Sequence, residues 1–243
     1  MGVLEGYLTS TRIGQNAITM SLYWNLGEKE EKIKQFFQDQ YTWAKEQVAS
    51  NKKDSYWINV GYILAQFDGI IYGAKQSNPA ITDWDLVLLN GIGDLIDLTR
   101  ALFPSERPDV PSMEYPDFLK MKHETGHCSA LVRVLPGFED IYMGHSSWFY
   151  YGATNRIYKH YHFDVSEETI SSKSISFSSY AGYLESLDDF YIMSNGLVML
   201  QTTINCLNQT LYSQVKPVST ILLYPHNEKI IFSKVFYHGN EFE

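Results

Sequence analysis

Cysteine is scarce in this chain of 243 residues: only Cys128 and Cys206 occur. They could pair, but two cysteines make no disulfide framework and leave the redox compartment unread. Positive charge is also short, with 19 Lys plus Arg against 28 Asp plus Glu and a net charge of −9. An acidic chain without a basic stripe is a poor partner for nucleic acid. It is equally poor at adsorbing to anionic membrane surfaces by charge alone. Long apolar runs are missing too. No stretch approaches the ~18 consecutive apolar residues of a membrane-spanning helix. Met1-Gly2-Val3-Leu4-Glu5-Gly6 has no basic region followed by an apolar one, so no signal peptide is visible. Gly6 stands where a myristoylation signal needs Ser or Thr. Internal repeats and low-complexity segments are absent as well.

What remains is the composition of a folded protein. Hydrophobic residues make up 44% and charged residues 19%, which excludes a disordered chain. The length suffices for one large domain or two small ones with a sizeable core. The 18 Tyr, 13 Phe and 5 Trp fit sheets with large cross-strand side chains better than they fit an amphipathic ligand site.

The pattern changes near residue 104. From Glu28 to Ser50, apolar side chains recur at Ile33, Phe36, Phe37, Tyr41, Ala44 and Val48, the spacing of one helix face. Ser55 to Tyr72 carries Trp57, Val60, Leu64 and Phe67 at similar spacing. Thr82 is a helix N-cap, with Asp83 and Asp85 in the first turn where negative charge suits the dipole. That helix runs to about Leu102 and stops at Pro104. Residues 104–127, with four prolines among polar residues, read as an exposed linker. Strands follow at Ser129–Leu135, Asp140–Trp148, Asn155–Val165, Ser174–Tyr180 and Asp189–Thr203, with turns at Pro136-Gly137 and Ala181-Gly182. Helices followed by strands imply α+β. The expected parts are a helical portion 1–103, the linker 104–127, a β portion 128–217 and a divergent tail 218–243.

His123-Glu124-Thr125-Gly126-His127 spells H-E-x-x-H, which on a helix places two imidazoles toward one zinc ion with the Glu as general base. Gly126 costs the helix up to ~1 kcal/mol, and the proline-rich stretch supplies no clear helix start. Arg133 stands where the extended motif needs a third His. The reading is therefore no metal site and no cofactor, with a zinc peptidase as the lesser alternative.

Cys128 comes next, before the apolar run Ala130-Leu131-Val132. A lone Cys before a strand is ordinarily a buried small hydrophobe. Here it opens an ordered series: Gly126-His127-Cys128-Ser129-Ala130-Leu131, Leu135-Pro136-Gly137-Phe138, His145-Ser146-Ser147-Trp148, Arg156-Ile157-Tyr158-Lys159-His160, Ser176-Phe177-Ser178-Ser179-Tyr180, Leu184-Glu185-Ser186-Leu187-Asp188-Asp189-Phe190-Tyr191 and Leu200-Gln201-Thr202-Thr203. Together with Leu4-Glu5-Gly6-Tyr7-Leu8-Thr9 and Gly91-Ile92-Gly93-Asp94-Leu95, the series resembles the phospholipase B-like family of ester- and amide-cleaving hydrolases. It covers roughly residues 3–216.

The resemblance implies an N-terminal-nucleophile hydrolase fold, a four-layer αββα sandwich formed by precursor self-cleavage. It places the cut between His127 and Cys128. Such a cut makes chemical sense. A thiolate is the reactive form of cysteine and needs a base beside it. The freed α-amino group, with a reference pKa near ~7.7–8.0, can take the thiol proton. The resemblance further implies His145 and Trp148 in the pocket and Thr203, rather than Thr202, beside the nucleophile. Antiparallel pairing through Pro136-Gly137 would carry His145 back toward Cys128, although a structural His on a strand is an equal reading. Asn208-Gln209-Thr210 is an N-glycosylation sequon at a family position, which implies a lysosomal or secreted glycoprotein. The expected partner is a phospholipid or an acyl amide.

Both ends depart from the family. Its signal peptide and first strand are missing before Leu4, its C-terminal half is missing after about Pro217, and Val218–Glu243 matches nothing in it. Packed sheets need both halves to bury their inner faces. The expectation is an incomplete form whose activity is in doubt, the alternative being a non-catalytic fragment.

Overall fold

The structure is a computed structural model, and it describes residues 1–125, 128–147, 149–165, 170–201 and 208–217, excluding the side chains of 122–125. Among the described residues, six α-helices precede six strands: α1 (Gly2–Trp24), α2 (Glu30–Ser50), α3 (Ser55–Ser77), α4 (Asp83–Gly91), α5 (Leu95–Leu102), α6 (Tyr115–Thr125), β1 (Cys128–Val134), β2 (Ile141–Ser147), β3 (Arg156–His162), β4 (Ser174–Tyr180), β5 (Phe190–Met193) and β6 (Val198–Leu200). This is the α+β organisation that the pattern implies.

The helices begin where local chemistry lets them. Asp54 caps α3 by accepting from the Tyr56 amide, and Thr82 and Asp85 form a reciprocal capping box at α4. The expected third helix is two, α4 and α5, joined by a single 3-10 turn at Ile92–Asp94. The stretch read as linker is not all linker: Tyr115–Thr125 is helical, with Asp117 in its first turn. Pro116 fits such a start, because an amide in the first turn has no helical partner to lose.

The first half of α1 shows no apolar period and packs instead by lacking side chains, through Gly2, Gly6 and Ser10. A Cβ on Gly6 would sit 2.1 Å from the Ile70 carbonyl oxygen, and one on Gly73 would sit 1.9 Å from that of Val3. Gly2 faces Gln66, Gly6 faces Ile70, and the Ser10 hydroxyl donates to that of Ser77. The two helices therefore run parallel with backbones in near contact.

Ile13 and Met20 of α1 join Ile33 and Phe36 of α2, Phe67 and Ile70 of α3, Leu86 and Leu89 of α4 and Leu95 of α5 in one core. Tyr180, Ala181 and Tyr183, at and beyond the end of β4, belong to the same core. Each such burial contributes roughly 1.5–3 kcal/mol. The helical portion and the sheet thus share an interior. Buried polar groups reinforce it: Lys159 of β3 donates to Glu5 of α1 at 2.7 Å, and the Tyr161 hydroxyl donates to the other Glu5 oxygen at 2.8 Å.

The strands form an antiparallel hairpin β1-β2 and a separate antiparallel sheet ordered β3-β4-β5-β6. The run expected as one strand, Asp189–Thr203, is a hairpin in its described part. It reverses at Ser194-Asn195-Gly196, where Gly196 has φ +89°, a conformation glycine adopts without penalty. Beyond residue 207, a 3-10 turn at Gln209–Gln214 returns to the helices, with Tyr212 buried and its hydroxyl donating to Asp97 at 3.3 Å.

Candidate active site

Register brings the first two site residues together. The Pro136-Gly137 turn, with Gly137 at φ +72°, folds β2 onto β1 so that Cys128 pairs with Ser147 and Ala130 with His145. Side chains alternate across a strand, so Cys128, Ala130, His145 and Ser147 lie on one face.

The third member comes from the loop after β4, which helices hold in place. Asn16 of α1 donates to the Ala181 carbonyl at 3.0 Å. Asn90 of α4 donates to the Gly182 carbonyl and accepts from the Leu184 amide, both at 2.8 Å. Farther along, the Ser186 amide donates to the buried Tyr191 hydroxyl at 2.9 Å, and the Asp189 amide donates to the Ser186 carbonyl at 3.0 Å. Asp188 turns inward to Arg156, Ser178 and Tyr180. Burial opposes ionisation of Asp188, but hydrogen bonds from Arg156 and Ser178 outweigh it and hold the carboxyl below its ordinary range. Asp189 turns the other way. Its φ of +58° is left-handed, a region Asp tolerates better than most residues.

Asp189 consequently reaches Cys128. The thiol donates to Asp189 Oδ2 at 3.1 Å, and His145 Nε2 lies 3.9 Å from the same oxygen. All three heteroatoms lie within 4.8 Å of one another. The Ser147 hydroxyl ties β2 to this loop by donating to the Leu187 carbonyl at 3.2 Å. The His145 side chain is 3% exposed, and its Nε2 is buried without a hydrogen-bond partner among the described residues.

Asp189 is the residue that strand and motif reading left without a role. The only hint was the acidic pair Asp188-Asp189 at a turn, and nothing in it tells which acid faces inward. Trp148, Thr202, Thr203 and His127 lie outside the described residues, as do the side chains of His123 and Glu124. Asn208 is exposed, and its side chain accepts from the Thr210 amide at 3.1 Å.

A family model described as Phospholipase B matches residues 1–228. The chain belongs to the phospholipase B family. The match runs past Pro217, where the motif series stops. Among curated relatives, "Phospholipase-B 81" of Drysdalia coronoides is 44% identical over 227 residues, 90% of this chain and 40% of its own length. "Phospholipase B-like 1" of Homo sapiens is 42% identical over 224 residues, covering 89% and 39%. "Phospholipase B-like protein G" of Dictyostelium discoideum is 35% identical over 240 residues, covering 91% and 40%. The chain therefore spans about 40% of the length of these relatives. No helix among the described residues is long and apolar enough to cross a membrane.

Proposed function

We propose that this chain carries the nucleophile of a phospholipase B-like hydrolase that cleaves acyl bonds, the ester bonds of phospholipids or related amides. The observation that supports it is the meeting of Cys128, His145 and Asp189 at the start of β1, where the family resemblance puts the nucleophile. In this reading the peptide bond between His127 and Cys128 is broken first, within an N-terminal-nucleophile αββα architecture. The new α-amino group takes the thiol proton, and the thiolate attacks the acyl carbonyl. The α-ammonium returns that proton to the leaving alcohol or amine, and a thioester remains on Cys128. Water, deprotonated by the α-amine, then releases the fatty acid and restores the thiol. His145 orients the substrate or holds the thiolate, Trp148 lines the pocket, and Thr203 sits beside the nucleophile. Glycosylation at Asn208 and a lysosomal or secreted location complete the proposal.

A second reading, a segment without catalysis of its own, has one observation in its favour. The β1-β2 hairpin pairs with no other strand among the described residues, and Leu131, Val132, Ile141 and Tyr142 are all near 60% exposed. Apolar side chains on both faces of a two-stranded ribbon call for a covering layer.

Intact-mass analysis of the purified chain and of Cys128→Ala, with assays on a diacyl phospholipid and an acyl amide, tests the first reading. The wild type should fall into two pieces and hydrolyse one substrate, while the variant stays whole and inert. Two uncut, equally inactive proteins would end the proposal. A sharp cooperative melt followed by circular dichroism would count against the second reading.

A further inference from the structure

We propose that Cys128, His145 and Asp189 form a three-ligand site for a borderline-soft divalent ion of the zinc type. The donor set is one sulfur, one imidazole nitrogen and one carboxylate oxygen, each from a different stretch of chain. Zinc takes this combination, at about 2.3 Å to sulfur and 2.0–2.2 Å to nitrogen or oxygen. Tetrahedral bonds of those lengths separate the ligand atoms by about 3.3–3.7 Å. Sγ stands 3.1 Å from Asp189 Oδ2, and His145 Nε2 stands 3.9 Å from it. With all three atoms within 4.8 Å of one another, an ion seats after side-chain adjustments of about 1 Å.

The buried Nε2 of His145, which has no hydrogen-bond partner among the described residues, is an independent pointer, because an ion would supply one. Charge agrees as well. On binding, the Cys128 thiol loses its proton to solvent and a metal–sulfur bond replaces the S–H bond. Thiolate and carboxylate together then balance the two positive charges. The site is distinct from the H-E-x-x-H run, sharing none of His123, Glu124 and His127. Three protein ligands leave a fourth position open.

Binding stands on this geometry alone. Its consequence rests on the proposed hydrolase reading: an ion on the sulfur withdraws the nucleophile, and zinc becomes a reversible inhibitor that a chelator relieves.

The test uses the full metal-free chain. Zinc stoichiometry is measured by equilibrium dialysis with elemental analysis, and Co²⁺ is followed by its near-ultraviolet thiolate absorption. The expected result is one ion per chain, with the cobalt band lost in Cys128→Ser and retained in Cys206→Ser. Affinity should fall at least tenfold in His145→Ala and in Asp189→Asn, and stay unchanged when His123 and His127 are both replaced by Ala. If His145→Ala fails to fold, Asp189→Asn decides, since Asn keeps the side-chain shape and tolerates the left-handed backbone. Absence of stoichiometric binding by the wild type would overturn the site. So would binding governed by His123 and His127, or by Cys206, with Asp189→Asn indifferent. A chain that binds one ion through these three residues and hydrolyses nothing would retire the hydrolase reading and leave this site standing.

Discussion

The thiol of Cys128 and the carboxylate of Asp189 meet at 3.1 Å across 61 positions of sequence. The hairpin fixes one partner. A turn pinned by Asn16 and Asn90 of the helical layer fixes the other. The contact thus depends on the shared core, and it places a carboxylate beside the sulfur of the proposed nucleophile.

Like charges oppose each other, so Asp189 disfavours the thiolate while it accepts a hydrogen bond from the thiol. Asp189→Asn removes the charge and keeps the shape. Alkylation of Cys128 by iodoacetamide at neutral pH should become several-fold faster in this variant, read by peptide mass spectrometry. An unchanged or slower rate would show that the carboxylate does not control the sulfur.

Asp188 sets an acid limit on stability. Its folded pKa lies below the ordinary value, near ~3.9 in an unfolded chain. The stabilisation it provides is therefore full above that ordinary value and is lost as pH falls through the lower folded one. Urea melts of the wild type and Asp188→Asn should differ clearly at pH 6 and converge toward pH 2.5. A gap that does not change with pH would contradict this.

Glu5 and Lys159 form a pair with side chains 12% and 3% exposed. Burial pulls the Lys159 ammonium toward neutrality, with Glu5 opposing. Glu5→Gln strands that ammonium and should cost about 3 kcal/mol. Adding Lys159→Met should restore most of the loss in denaturant unfolding. A double variant no more stable than Glu5→Gln would place the loss elsewhere, for example in the Tyr161 hydrogen bond.

Helix contact through absent side chains gives a paired test. Gly73→Ala drives a methyl group into the Val3 carbonyl and should destabilise by about 1–3 kcal/mol or more. Gly14→Ala meets only the tip of the Asn78 side chain, at 3.2 Å, and should be neutral or stabilise by up to ~1 kcal/mol through helix propensity. Equal melting shifts for the two would refute the close parallel packing.

The legible features of the sequence were those carried by short-range pattern. The three-and-four spacing of Ile33, Phe36, Phe37 and Tyr41 marked α2, and Thr82 with Asp85 marked the start of α4. β4 has the bounds its alternation indicates. The turn at Pro136-Gly137 foretold the pairing that brings His145 beside Cys128. Three features were hidden for physical reasons. The first half of α1 packs through Gly2, Gly6 and Ser10, which leave no apolar period to read there. The Ser194-Asn195-Gly196 reversal sits inside an otherwise strand-like run. Asp189 faces Cys128 because Asn90 grips Gly182, a contact spanning 92 positions, and no local window contains both.

The claim that matters most is that a break in the backbone turns Cys128 into a chain start. N-terminal sequencing of the mature protein, separated into its pieces, tests it most directly. The account predicts a fragment reading Cys-Ser-Ala-Leu, from Cys128 to Leu131. A single intact chain in a preparation that hydrolyses acyl bonds, or a fragment beginning at any other residue, would contradict it.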